Sequence, residues 1–294
     1  MDHSEEEIFQ QDRTQMEQRP GAVFVIRLLM KESVVMPEKE RMEQIMEKHL
    51  GPVECFCHDG KTAGFAPQKY RAEFKDASLP PQLFIMECVP SEGMKIDELT
   101  RSQFWDCPDS ETILSECRYQ VVATDMLAGG LDYRDRAEML VDYIEALVEL
   151  YPSCVAVFFH SSGKMLTREQ ILDNPVPKKN RFLYYAVNVR FFNIQGSDDK
   201  LIDTLGMSTL YLPDLQYHFH GMDPNFVVNH AYNLLTYLFE NDCPIKDGET
   251  VDGIENGKMS GDVQWKCQYE DSLIQPVRPV LDVNMGEYAS GNRG

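Results

Sequence analysis

Apolar and polar positions along the chain follow two periods in turn, and the switches between them predict alternating strands and helices. Residues 23–30 are apolar throughout except for Arg27, the pattern of a strand buried on both faces. After Pro37, the residues Met42, Ile45, Met46 and Leu50 recur at helical spacing, and Gly51-Pro52 closes that helix. Residues 53–58 and 62–74 read as two strands around an Asp59-Gly60 turn, and 82–89 as a further buried strand after Pro80-Pro81. A helix is predicted over 96–105, then a short one carrying Ile113 and Leu114 beyond the Cys107-Pro108-Asp109-Ser110 break.

A second passage of similar order begins at Tyr119. It has a strand over 119–127, the turn Ala128-Gly129-Gly130, and a helix over 132–151 in which Ala137, Leu140, Val141, Ile144, Leu147 and Val148 keep the 3.6-residue period. Pro152 ends it. Residues 154–159 read as a buried strand, residues 160–163 as a turn, and Thr167 with Gln170 forms the capping box of a short helix. Residues 182–194 read as one long strand, with Leu183, Tyr185, Val187, Val189 and Phe191 on one face and Tyr184, Asn188 and Arg190 on the other. Further on, Val263, Trp265, Cys267 and Tyr269 alternate with polar residues, as in an antiparallel strand with one wet face, and past Pro276 and Pro279 the chain is expected to fray.

The densest signal lies in residues 201–240, where a turn-rich segment runs into a strand and then a long helix. Asp223 is placed to cap that helix, Pro224 fits its first position, and Met222 with Val227 forms a hydrophobic staple. Val227, His230, Ala231, Leu234 and Leu238 supply its apolar stripe. The expected class is therefore α+β, with mixed, largely antiparallel sheets and packed helices. The two β-α-β passages are compatible with two ferredoxin-like repeats. The expected organisation is an acidic flexible lead-in (1–20), an N-terminal half (21–115), a C-terminal half packed on it (116–285) and a tail (286–294).

Charge narrows the choice of partners. With 28 basic and 48 acidic residues the net charge is −20, which repels phosphate backbones and anionic lipid, so neither nucleic acid nor membrane is expected as a partner. No window reaches the run of about 18–20 apolar residues that a membrane span needs, and residues 1–20 are acidic and polar, unlike a secretory signal. A cytoplasmic location follows, with the eight cysteines as free thiols.

The segments RSQFWDCPDS (101–110), YQVVATDMLAGGLDYRDRAEMLVDYIEAL (119–147), NVRFFNIQG (188–196), DTLGMSTLYLPDLQYHFHGMDPNFVVNHAYN (203–233) and DVQWKCQYEDSLIQPVR (262–278) resemble bacterial proteins carrying the domain of unknown function 4261. The likeness runs from about Val23 to Tyr288. It implies a bacterial cytoplasmic protein and carries over no site.

Candidate chemistry comes from the residues alone. His218 and His220 alternate along one strand and point to the same side, and with His230 or Asp214 as a third ligand they would hold a divalent metal for hydrolysis. Set against this, His218 and His220 would serve as cross-sheet hydrogen-bonding groups and His230 as a satisfied core histidine. Cys55 and Cys57 lack a second ligand pair, Cys107 lacks a nucleophile's flanking signature, and Gly129-Gly130 has neither phosphate-loop spacing nor a lysine. Tyr184, Asn188, Arg190 and Tyr217 are candidate ligand-binding residues, although an internal carboxylate such as Asp203 or Asp214 is the simpler partner for Arg190. No cofactor beyond that metal is expected. The leading expectation is a non-enzymatic domain that presents an acidic surface to another protein. A metal-dependent hydrolase and a small-molecule sensor are its rivals.

Overall fold

The computed structural model describes residues 23–291. In chain order its strands and helices are β1 (Val25–Met30), α1 (Lys39–Leu50), β2 (Val53–His58), β3 (Thr62–Pro67), β4 (Ala72–Glu73), β5 (Ser78–Leu79), β6 (Gln82–Met86), β7 (Val89–Pro90), α2 (Glu98–Ser102) and α3 (Ser110–Glu116). They continue as β8 (Tyr119–Met126), α4 (Tyr133–Leu150), β9 (Cys154–Phe159), β10 (Lys164–Thr167), α5 (Arg168–Leu172), α6 (Arg181–Ala186), β11 (Asn188–Asn193), β12 (Lys200–Leu205) and β13 (Asp214–Phe219). The last are α7 (Pro224–Glu240), β14 (Thr250–Glu255), β15 (Lys258–Asp271) and β16 (Pro279–Asn284). The lead-in expected over 1–20 lies outside the described residues.

Two larger sheets organise the chain, and the class is α+β as expected. The first has the order β10-β9-β1-β8-β6-β3-β2, with β7 also on β8, and the second the order β11-β12-β13-β16-β15-β14. Pairing is largely antiparallel, while β13 and β16 run parallel. The opening strands of the two sequence passages, β1 and β8, pair with each other from Val25↔Thr124 to Met30↔Tyr119. The passages therefore merge into one sheet instead of forming two ferredoxin-like units, and that sheet crosses the expected boundary at residue 116.

The inner face of the first sheet is fully dry. Phe24, Ile26 and Leu28, Val121 and Ala123, Leu83 and Ile85, and Ala63 and Phe65 are all 0% exposed beneath α1 and α4. Each large side chain buried this way contributes roughly 1.5–3 kcal/mol, so this face dominates the stability of the sheet. The same apolar cluster continues through Phe182 and Tyr185 of α6 to α7, which covers Leu215 and Tyr217 on the inner face of the second sheet.

The local signals at helix starts act as read. The Asp132, Thr167 and Asp223 side chains each accept from a backbone N–H in the first turn, and Thr167 with Gln170 completes the capping box. Three readings are corrected. Residues 182–194 are α6 followed by β11, because Phe182, Leu183, Tyr185 and Ala186 suit the buried side of a helical turn as well as a strand. The turn-rich start of the 201–240 stretch is β12. Beyond Pro279 the chain does not fray but forms β16, with Val280, Leu281 and Val283 fully buried between β13 and β15.

Candidate functional site

Each sheet has an outer face, and both bear on function. On the second sheet, the register aligns Arg190 with Asp203, Asp203 with Gln216, Gln216 with Asp282, and Asp282 with Gln268, so a polar row crosses five strands on the face away from α7. Arg190 grips Asp203 through both guanidinium edges, Nε to Oδ1 at 2.8 Å and Nη2 to Oδ2 at 2.5 Å. Arg278 donates to Asp203 Oδ2 at 2.8 Å and to Asp214 Oδ2 at 2.9 Å, and it also bonds the Thr204 carbonyl. Asp203, Asp214 and Arg278 are almost wholly buried. Two cations thus balance two anions, as a dry interior demands.

The residues from Ser272 to Arg278 seal this row. The carbonyls of Ile274 and Pro276 accept from Arg278 Nη1, the Gln275 carbonyl accepts from Arg190 Nη1, and Leu273 N–H donates to Gln216 Oε1. Burial pushes against ionisation of Asp203, but two arginines outweigh it and hold its pKa below the usual value. Asp214 has only Arg278 as a charged partner, so burial wins and its pKa is raised. The network ties β11, β12, β13 and the 272–278 strap together.

The sequence-predicted metal ligands do not converge. Alternation along β13 puts Tyr217 on the α7 side and His218 on the opposite side, so His230 on α7 meets Tyr217 and not the other two histidines. Tyr217 donates its hydroxyl to His230 Nδ1 at 2.9 Å, and His230 Nε2 donates to the Asp252 carbonyl at 2.7 Å, with the Trp265 ring 4.9 Å away. Burial lowers the His230 pKa, and the neutral imidazole is fully satisfied. His218 and His220 meet instead at Asp199 and Ser290. Ser290 Oγ donates to Asp199 Oδ1 at 2.8 Å and so receives its contact from His220 Nδ1 at 3.1 Å, while His218 Nε2 lies 3.6 Å from Asp199 Oδ2. A hydroxyl committed to a carboxylate reverses the order that an activated serine needs. Among the described residues no group of three or more His, Cys, Asp or Glu side chains is arranged to hold a metal ion.

The remaining candidates are also dispersed. Arg190 belongs to the outer row and Tyr217 to the inner face, so with Tyr184 on α6 they do not line one pocket. Asn188 Nδ2 faces the carbonyls of Gln103, Ser162 and Gly163. Gln103, which sequence reasoning passed over, extends the edge of β11 by pairing its amide with both backbone groups of Phe191. Lys164 sits beneath Tyr184, 5.2 Å from the ring centroid, and bonds Asp106 at 3.0 Å and the Val187 carbonyl at 3.0 Å. All eight cysteines are free, and burial pushes the Cys107 thiol up to about 11, which disfavours the thiolate a nucleophile needs.

The outer face of the first sheet is a different kind of surface. Residues from Met94 to Cys117 cover β10, β9 and the Leu29 end of β1, where Phe104 and Phe158 meet edge to face. Beyond that cover lie Val25, Val122, Phe84 and Met86, all half-buried, with Phe56 at 41% and Met126 at 47% exposure. Phe56 folds across Gly64, where a Cβ would lie 2.5 Å from its ring, and stacks edge-on against Phe84 at 5.5 Å. Arg27 stands where cover and open face meet, opposite Val122 and Phe158. Its Nη1 donates to the neutral Gln120 amide at 2.7 Å, and its Nε is buried without an acceptor. The sequence signal was visible only as a charge interrupting an apolar strand.

With an α+β fold, a sealed ion network and one open apolar sheet face on view, the chain can be set beside known families. Residues 203–284 match the family described as Domain of unknown function (DUF4261). The matched segment holds Asp203, Asp214 and Arg278, the buried heart of the second sheet. No curated protein and no solved structure gives a match.

Proposed function

We propose that the protein is a non-enzymatic binding domain that docks another protein on the open outer face of its first sheet. The observation that carries this reading is the aromatic pair Phe56–Phe84, stacked on the outside of the sheet among half-buried Val25, Met86 and Val122, with no element of the described chain across them. Exposed apolar side chains that adjoin in this way mark interaction surfaces. The net charge of −20 favours a net-basic partner, because long-range attraction raises the encounter rate and disfavours acidic competitors. Free thiols and the lack, among the described residues, of any helix long and apolar enough to cross a membrane agree with a reducing, aqueous setting.

The test compares pull-downs from a lysate of the source cell, at low and high salt, using the wild-type chain, Phe84→Asp on the open face and Lys258→Glu on the β14–β15 hairpin. A partner held by the wild type and by Lys258→Glu, released by salt and absent from Phe84→Asp supports the reading. Equal capture by all three chains, with Phe84→Asp shown to be folded by its melting curve, overturns it.

A further inference from the structure

The open face selects for more than apolarity. Resting on the docking reading above, we infer that its occupant is a partner segment in which a single carboxylate lies among apolar side chains, and that Arg27 is the residue that receives it.

The inference begins with what Arg27 lacks. In a chain with twenty more acidic than basic residues, a half-buried guanidinium would ordinarily find a carboxylate, as Arg190 and Arg278 do. No carboxylate of the described residues pairs with Arg27, and its one bonded partner is the uncharged Gln120 amide. Because Gln120 takes Nη1 and Nε is buried, Nη2 is the donor left for an incoming carboxylate, in a charge-assisted hydrogen bond. Nε is already shielded from solvent by its surroundings, so the guanidinium has lost part of its hydration before anything binds.

The neighbours set the class of anion. Val25, Val122, Phe84 and Met86 offer apolar contact on one side and Phe158 on the other. His160, which senses the Arg27 charge, stacks on Phe158 at 6.3 Å, and its pKa is lowered by burial and by Arg27 itself, so it adds little positive charge near neutral pH. One fixed positive charge matches a carboxylate better than a doubly charged phosphate. The arrangement suits an aspartate, glutamate or chain-terminal carboxylate presented by a segment whose flanking residues fill the Phe56–Phe84 side. A second copy of this chain is disfavoured by repulsion between two highly acidic molecules.

A phage-displayed library of random dodecapeptides, panned on the full chain and counter-selected on Phe84→Asp, tests this. Enriched peptides should carry an acidic residue among apolar ones. Changing that residue to its amide should weaken binding to the wild type about tenfold, the worth of one charge-assisted hydrogen bond. Arg27→Gln should weaken binding similarly, and on Arg27→Gln the amide peptide should lose nothing further. Peptides that need Phe84 but lack a carboxylate, or bind Arg27→Gln equally well, overturn the role of Arg27 while the docking reading stands. Failure to enrich any peptide against Phe84→Asp overturns both. Displacement of the selected peptides by a synthetic peptide of the chain's own residues 1–22, or a dimer that Phe84→Asp dissolves, overturns the assignment of the face to a separate partner.

Discussion

Arg278 and Arg27 stand on the outer faces of the two sheets, and their surroundings differ completely. Arg278 bonds two carboxylates and three backbone carbonyls under a strap that closes the sheet. Arg27 bonds one neutral amide at the rim of a face that nothing described closes. The sheets themselves are alike, each with a helix-covered inner face. What differs is the element that crosses outside: residues 272–278 cover the buried arginines of β11–β13 on the second sheet, whereas residues 94–117 stop short of Arg27 on the first. A buried charge is tolerated only where partners arrive with the cover, so the closed face serves the fold, and in the function proposed above the open one receives the partner.

The largest effect expected is from Arg278→Ala. It would leave Asp203 with one arginine and Asp214 with none, and breaking a buried pair from one side costs about 3–5 kcal/mol. Denaturant unfolding of the variant measures it. A loss below about 1 kcal/mol would show that the strap is held by something other than this network.

Adjacent residues of β6 sharpen the contrast within the first sheet. Ile85 is wholly buried on the inner face, so Ile85→Ala should cost about 2–5 kcal/mol through lost burial and an unfilled cavity. Phe84 points outward, and Phe84→Ala should cost only about 1 kcal/mol, chiefly its edge contact with Phe56. Equal losses at the two positions would mean that the outer face is closed in solution.

The inner faces were legible in the sequence because helical and strand periods mark them directly: Met42, Ile45, Met46 and Leu50 of α1 and the Asp223-Pro224 start of α7 lie as the spacing demands. The outer faces were not. Residues 82–86 are almost uniformly apolar, so nothing local says that Leu83 and Ile85 are sealed while Phe84 and Met86 touch solvent. That distinction depends on how far residues 94–117 reach. Arg278 was hidden for a related reason, since flanking prolines suggested an unravelling chain where a strap and a buried strand occur. For Arg190 the internal carboxylate was foreseen, because the cost of an unpaired buried charge is independent of topology.

A smaller, pH-dependent effect is expected on the closed side. The His230 pKa is lowered in the folded state, so on acidification the unfolded chain takes up a proton first. Stability should therefore be flat above the ordinary histidine pKa of about 6.5 and fall as the pH drops below it. His160 on the open side is shifted in the same direction, by burial and by Arg27. His230→Gln keeps a donor for the Asp252 carbonyl and an acceptor for Tyr217 and should flatten the slope. An unchanged slope would move its origin to His160 or elsewhere.

The smallest effect is expected from Arg27→Ala. Gln120 is buried and loses its donor from Arg27, but no carboxylate is abandoned, so the loss of unfolding free energy should be about 0.5–1 kcal/mol, well under that of Arg278→Ala. Arg278→Ala is the matched control, with the same substitution on the equivalent outer face. A large loss at Arg27 would mean that the guanidinium has a partner in the folded chain and is not held ready for another molecule. A loss no larger than the Gln120 hydrogen bond accounts for, accompanied by weaker binding, is the signature of a residue whose charged partner comes from outside, because only then does the charge contribute more in the complex than in the fold.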